Sequence, residues 1–120
     1  MDIEQIRLYC LKKPKATESF PFDKDTLVFK VLNKMFVIAP LDRWENGKAS
    51  ITLKCDPEYT IELREEYESI YVGPYVSNKH WNTIAIYTGE LKPKFIFKLI
   101  DHSYGMVVKG MSKKVRDTLA

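Results

Sequence analysis

No run of apolar residues in this chain approaches the roughly 18 that a membrane-spanning helix requires. The stretch Met1-Asp2-Ile3-Glu4-Gln5 has no basic region leading into an apolar core, so a secretory leader is not expected either. Cysteine is scarce: Cys10 and Cys55 stand far apart, without C-x-x-C spacing, on the apolar faces of predicted elements. That pattern argues against a disulfide framework and for reduced core thiols, and with it a soluble, cytoplasmic protein is expected. A Gly-rich phosphate loop, H-E-x-x-H, G-x-S-x-G and any cluster of Cys, His and Asp at ligand spacing are all missing. The two histidines, His80 and His102, fall in a turn and in the middle of a helix. No enzymatic activity, metal site or cofactor is therefore expected.

What remains is ordinary globular material. With 120 residues, 45% hydrophobic, 29% charged and only 5 Gly and 6 Pro, one domain over residues 1–120 is the expectation, and disordered or collagen-like chains are excluded. The net charge of +3 selects no partner, but its distribution is uneven. Residues 61–91 carry two basic and five acidic groups, whereas residues 92–120 carry seven and two. Such clusters serve equally as solvated helix faces.

Asp2 and Gln5 form a capping box ahead of Ile3, Ile6 and Cys10, which predicts a first helix from Ile3 to Leu11; Pro14 stops its continuation. Residues 15–22 show no period and read as a loop. Thr26 to Leu32 alternates, with Leu27, Phe29 and Val31 on one face, and a turn at Asn33-Lys34 leads into a second strand, Met35 to Ala39. Residues 40–47 read as a loop carrying Trp44, and Ala49 to Cys55 alternates cleanly as a third strand. Asp56-Pro57-Glu58 opens a helix running to about Glu68. Ile70 to Val76 and Trp81 to Tyr87 read as a second hairpin around Ser77–His80. Pro93 opens a long helix with Ile96, Leu99, Ile100, Ser103 and Val107 on one face, and a short basic helix, Lys113 to Leu119, follows a break. The order α-β-β-β-α-β-β-α describes an α+β fold with an antiparallel sheet packed on helices.

Two places on this scaffold combine chemically useful groups. Thr26, Lys30, Ser50, Thr52 and Lys54 point to the outward face of the sheet, a polar and mildly basic plate that either contacts phosphates or is the wet face usual for an antiparallel sheet. Asn78-Lys79-His80-Trp81 brings an amide, a cation, an imidazole and an indole together. Lys79 suits a phosphate, Asn78 a base edge and Trp81 a stacking or wedging role, although Trp at a strand start also packs and Asn in a turn also serves its own backbone. Ser103-Tyr104 reads as a hydroxyl pair bracing the sheet.

The set Tyr9-Cys10 with Pro14, Phe22, Phe29-Lys30-Val31, Lys34-Met35-Phe36, Leu53-Lys54-Cys55 with Pro57, Asn78-Lys79-His80-Trp81, and Leu99-Ile100-Asp101 with Ser103-Tyr104 resembles the MmcQ/YjbR family over nearly the whole chain. The resemblance implies a CyaY-like or secretion-chaperone-like α+β fold. It also implies a small bacterial cytoplasmic protein that binds DNA through a double wing. Carried over by position, the family's N-K-x-H-W stretch falls on Asn78, Lys79, His80 and Trp81, one residue shorter here, so a change of register or turn type is expected in that hairpin. Its lysines fall on Lys34 and Lys54. The resulting expectation is a monomeric, non-catalytic DNA-binding module. Lys30, Lys34, Lys54 and Lys79 meet the phosphate backbone, Asn78, His80 and Trp81 sit at the tip, and Lys109, Lys113, Lys114 and Arg116 add longer-range attraction. The competing expectation is a protein-binding, chaperone-like adaptor anchored by Trp44, Tyr71, Tyr75 and Trp81.

Overall fold

The computed structural model describes residues 1–74 and 76–119, and its fold is the α+β arrangement expected. Among the described residues, six strands form one antiparallel sheet in the order β1-β2-β3-β4-β6-β5. The strands are β1 (Ala16–Ser19), β2 (Thr26–Val31), β3 (Lys34–Pro40), β4 (Ser50–Lys54), β5 (Ile70–Tyr71) and β6 (Trp81–Ala85). The helices are α1 (Ile3–Leu11), α2 (Leu41–Glu45), α3 (Pro57–Glu66), α4 (Pro93–Lys109) and α5 (Lys113–Arg116). None of them is long and apolar enough to cross a membrane.

The core forms where periodicity placed it. Leu27, Phe29 and Val31 of β2, Val37 and Ala39 of β3, Ile51 and Leu53 of β4 and Ile84 of β6 share the inner face with Cys55, and α4 packs on β3 and β4. Its buried side chains are Ile96, Leu99, Ile100, Ser103 and Val107, the stripe read from the sequence. Asp2 makes the predicted capping box with Gln5, and the Asp56 carboxylate accepts from the backbone N–H groups of Glu58 and Tyr59 at the start of α3. Both cysteines are buried and unbridged; burial pushes the Cys10 thiol up to about 12 and also raises that of Cys55.

Several boundaries differ from expectation for local physical reasons. Residues 16–19, read as loop, form the edge strand β1, paired from Ala16↔Val31 to Ser19↔Val28; with one neighbour and a mostly exposed pair of faces, it carries no alternation to read. Leu41–Glu45 is a short helix rather than loop, and Trp44 on it donates its indole N–H to the Ser50 carbonyl at 2.9 Å. The β2–β3 turn is Leu32-Asn33, with φ of 47° and 68°, not Asn33-Lys34. This is a type I′ turn, and the shift by one residue spares Lys34 a positive φ and makes it the first residue of β3. The second hairpin is not a tight one: β5 has two residues, β6 ends at Ala85 in a short 3-10 turn, and residues 72–80 intervene. Tyr75, placed in a strand from the sequence and offered as a protein-binding anchor, lies outside the described residues. The terminal helix stops at Arg116, where a 3-10 turn follows.

Candidate functional site

The site begins with an interruption in the sheet. Strands β3 and β4 pair through Val37↔Leu53 and Ile38↔Thr52 and no further toward the β2–β3 turn. On the other side of β3 the register shifts, Phe29 facing Val37 and Lys30 facing Met35, so that Phe36 occupies a β-bulge. Between the parted strands sits the fully buried hydroxyl of Ser103. It donates to the Phe36 carbonyl at 2.6 Å and accepts the Lys54 N–H at 2.9 Å, bridging two groups that an unbroken ladder would have joined directly. The bracing role read for Ser103 is thus the observed one. Tyr104 braces elsewhere, donating its hydroxyl to the Pro14 carbonyl at 2.7 Å.

Where β3 and β4 part, an open cleft of about 340 Å³ lies against the end of α4, lined by Lys34, Met35, Lys54, Trp81, Val107, Gly110 and Met111. Lys34 leaves the type I′ turn, Lys54 ends β4, and Trp81 opens β6 directly opposite Lys54 in the ladder. Cross-strand partners lie about 5 Å apart at Cβ, so the Lys54 stem and the Trp81 indole are immediate neighbours on one face. Three of the seven residues singled out from the sequence therefore share one concavity. Among the described residues, no acidic side chain lines it.

The other four do not line the cleft. Lys30 is half-buried on the outward face, opposite Met35. Asn78, Lys79 and His80 are exposed in the turn that delivers the chain into Trp81, closed by the N–H groups of His80 and Trp81 donating to the Ser77 carbonyl. The His80 carbonyl accepts the N–H of Cys55 at 2.8 Å, which fixes this turn beside the end of β4. The expected register change does not reach β6, whose pairing with β4 runs without a break from Trp81↔Lys54 to Ala85↔Ser50. The turn lies within the 72–80 connection, where chain length is absorbed outside the ladder. Among the described residues, Lys30, Lys34, Lys54 and Lys79 form no ion pair; the pairs present are Arg7 with Glu4 and Glu18, and Lys13 with Asp101.

The outward face is less open than its alternation suggests. Ser50 and Thr83 are buried, and the Thr52 and Thr83 hydroxyls bond each other at 2.9 Å. Buried Gly73 covers them: a Cβ there would stand 2.0 Å from Thr83 Oγ1. A close approach of this kind leaves no signal in strand periodicity; Thr26, Lys30, Thr52 and Lys54 of the plate remain half-buried, and Ser50 is buried. Trp44 is likewise tied down through its indole N–H, while Tyr71 stays exposed at the sheet edge.

Two groups of residues escaped the sequence. Met35, Val107 and Met111 give the cleft its apolar lining. Arg64, in the last turn of α3, holds the 78–82 segment: its Nε donates to Asn82 Oδ1 at 2.7 Å and one terminal nitrogen to the carbonyls of Asn78 and Trp81 at 2.6 and 2.9 Å. A helix-end arginine reads as ordinary surface because its partners are 14 to 18 positions away. His102, the other histidine, accepts the Asp56 N–H at Nε2 and meets the Tyr59 ring edge-on. Burial holds its pKa below the ordinary 6.5, with the Asp56 charge opposing. That imidazole is spent on the β4–α3 junction.

The sequence model of the YjbR family matches residues 11–106 of the chain. YbdF of Escherichia coli O157:H7 is 31% identical over 112 residues, 92% of this chain and 88% of its own length. YjbR of Escherichia coli K12 is 29% identical over 119 residues, 99% of this chain and 98% of its own. Among solved structures, the Deinococcus radiodurans protein DR2400, of domain family DUF419, superposes with a TM-score of 0.88 at 34% identity, covering 98% of this chain and 87% of that one. A Pseudomonas syringae protein superposes at 0.71 with 26% identity, covering 88% and 98%.

Proposed function

The chain belongs to the YjbR family, and on that premise we propose that it is a non-catalytic module that holds DNA by its phosphate backbone, using the cleft and the lysines around it. One observation carries this reading. Lys34 and Lys54, unpaired with carboxylates among the described residues, open into one concavity with Trp81 and without acidic company. The β2–β3 turn and the 78–80 turn flank that concavity as unequal wings. Lys79 and Lys30 extend the positive surface, and the basic stretch Lys109, Lys113, Lys114 and Arg116 runs on from the α4 end that closes the cleft. Cytoplasmic placement belongs to the same proposal.

With about four to six phosphate contacts, affinity is micromolar or weaker and falls steeply with salt, each contact adding roughly −0.9 to the logarithmic slope. Titration of a fluorescent duplex at low and moderate salt tests this. Binding that weakens when Lys34→Glu and Lys54→Glu are combined supports the proposal, and a slope smaller by about one per removed cation supports it further. Absence of binding at low salt, or binding indifferent to those substitutions, ends it.

A second reading, docking of a protein partner, is favoured by one specific observation. Phe20 and Phe22, 48% and 63% exposed, follow directly on the edge strand β1. An edge with unpaired backbone groups beside exposed aromatics suits an added strand. On this reading Phe20→Ser with Phe22→Ser abolishes association of a co-purifying protein and leaves DNA binding unchanged.

A further inference from the structure

Resting on the backbone-binding reading just given, we infer that the cleft takes single-stranded DNA, with an unpaired base laid on the Trp81 indole and its neighbouring phosphates held by Lys34 and Lys54. A duplex is convex and keeps its bases stacked inside, so it can reach lysines at a rim but has nothing to place against a recessed apolar floor. Here the floor is apolar: Met35, Trp81 and Met111 supply an indole and two thioethers beside the buried Val107. The cleft, at about 340 Å³, is at the lower end of the range of small-ligand sites and of a size for one nucleotide. Lys54 and Trp81 are direct partners across the β4–β6 ladder, which sets a cation beside an indole on one face. An aromatic platform beside cations is the combination that binds single strands without regard to sequence, because every base has a π-face. Met35 and Met111 add unbranched, polarisable side chains that adapt to different bases.

Trp44 and Trp81 are the two tryptophans, so a Trp44→Phe variant makes the emission report on the cleft alone. The test titrates it with a short thymidylate oligonucleotide and with a duplex of equal length at one low salt concentration. The expected result is quenching of Trp81 by the single strand, which binds roughly tenfold tighter than the duplex. Trp81→Ala then loses roughly that factor for the single strand and abolishes its advantage over the duplex, while Trp81→Phe retains most of the preference. Equal or tighter duplex binding overturns this inference but not the backbone-binding reading, provided Lys34→Glu and Lys54→Glu still weaken the duplex. A preference for the single strand without quenching also overturns it, because the base is then not on the indole. If neither nucleic acid binds, both readings fall. Should Trp81→Ala or Trp44→Phe fail to fold, the ratio of single-strand to duplex affinity in the otherwise native chain decides.

Discussion

The backbone N–H of Lys54 donates to the buried Oγ of Ser103 across 2.9 Å, so the longest helix grips the strand that carries a cleft lysine. The same oxygen passes its own proton toward the Phe36 carbonyl, and this bridge stands at the point where β3 and β4 separate. A helix side chain thus substitutes for a ladder bond and leaves room for a groove at the end of the sheet.

Ser103→Ala is expected to leave the Phe36 carbonyl and the Lys54 amide without partners in the interior. An unsatisfied buried group costs about 1–3 kcal/mol, so a loss of at least about 2 kcal/mol is expected in urea unfolding. Amide exchange at Lys54 should quicken more than at Leu53, and equal protection at the two sites counts against the bridge.

Gly73→Ala places a methyl group 2.0 Å from Thr83 Oγ1 and 3.3 Å from its Cβ. Threonine is stiff at χ1, so the 72–74 segment must lift, costing about 1–3 kcal/mol. Combining it with Thr83→Ala removes the nearer clash. The double variant should be more stable than the sum of the single effects implies, and strict additivity would refute the contact.

Arg64→Leu strips the buried Asn82 Oδ1 and two carbonyls of the 78–81 turn of a charged donor, an expected loss of about 2–3 kcal/mol. Arg64→Lys should recover little of it, because one ammonium cannot reproduce the fork that spans these acceptors. In the proposed binding role, both variants weaken nucleic-acid affinity although Arg64 itself does not line the cleft.

His102 is held below its ordinary pKa of 6.5 by burial, so the unfolded chain takes up its proton first as pH falls. Stability from this group is complete above about pH 6.5 and declines below it, toward the lowered native pKa. The half-buried ring keeps the slope under the ~1.4 kcal/mol per pH unit that one whole proton allows. His102→Gln should flatten the curve of unfolding free energy between about pH 6.5 and 5, and an unchanged slope would assign it to other groups.

Helix faces and the central strands were legible from the sequence wherever one side of an element is buried along its whole length. The α4 stripe and the alternation of β4 are examples, as are the caps at Asp2 and Asp56, which act within three residues. Strand β1 was not legible, because an edge strand with little burial has no pattern to show. The β2–β3 turn falls one residue before Asn33-Lys34: Leu32 at φ 47° contradicts its own local preference and is tolerated because it packs partly on the core. Of the candidate site, Lys34, Lys54 and Trp81 are legible in the sequence as useful chemistry, whereas Arg64, Met35 and Met111 are not, since no local rule links them to it.

The sequence by itself determined the α+β class, the apolar faces, the reduced and buried cysteines, and a set of lysines and one tryptophan with suitable chemistry. Only the tertiary structure decided which of these meet. Lys34, Lys54 and Trp81 come from three strands, and they share a cleft because a bulge at Phe36 and the Ser103 hydroxyl part β3 from β4 there. Periodicity reports which face of an element a residue occupies, through burial summed over neighbours along the chain. Where two strands stop pairing is set instead by contacts between segments distant in sequence, and no local pattern records it.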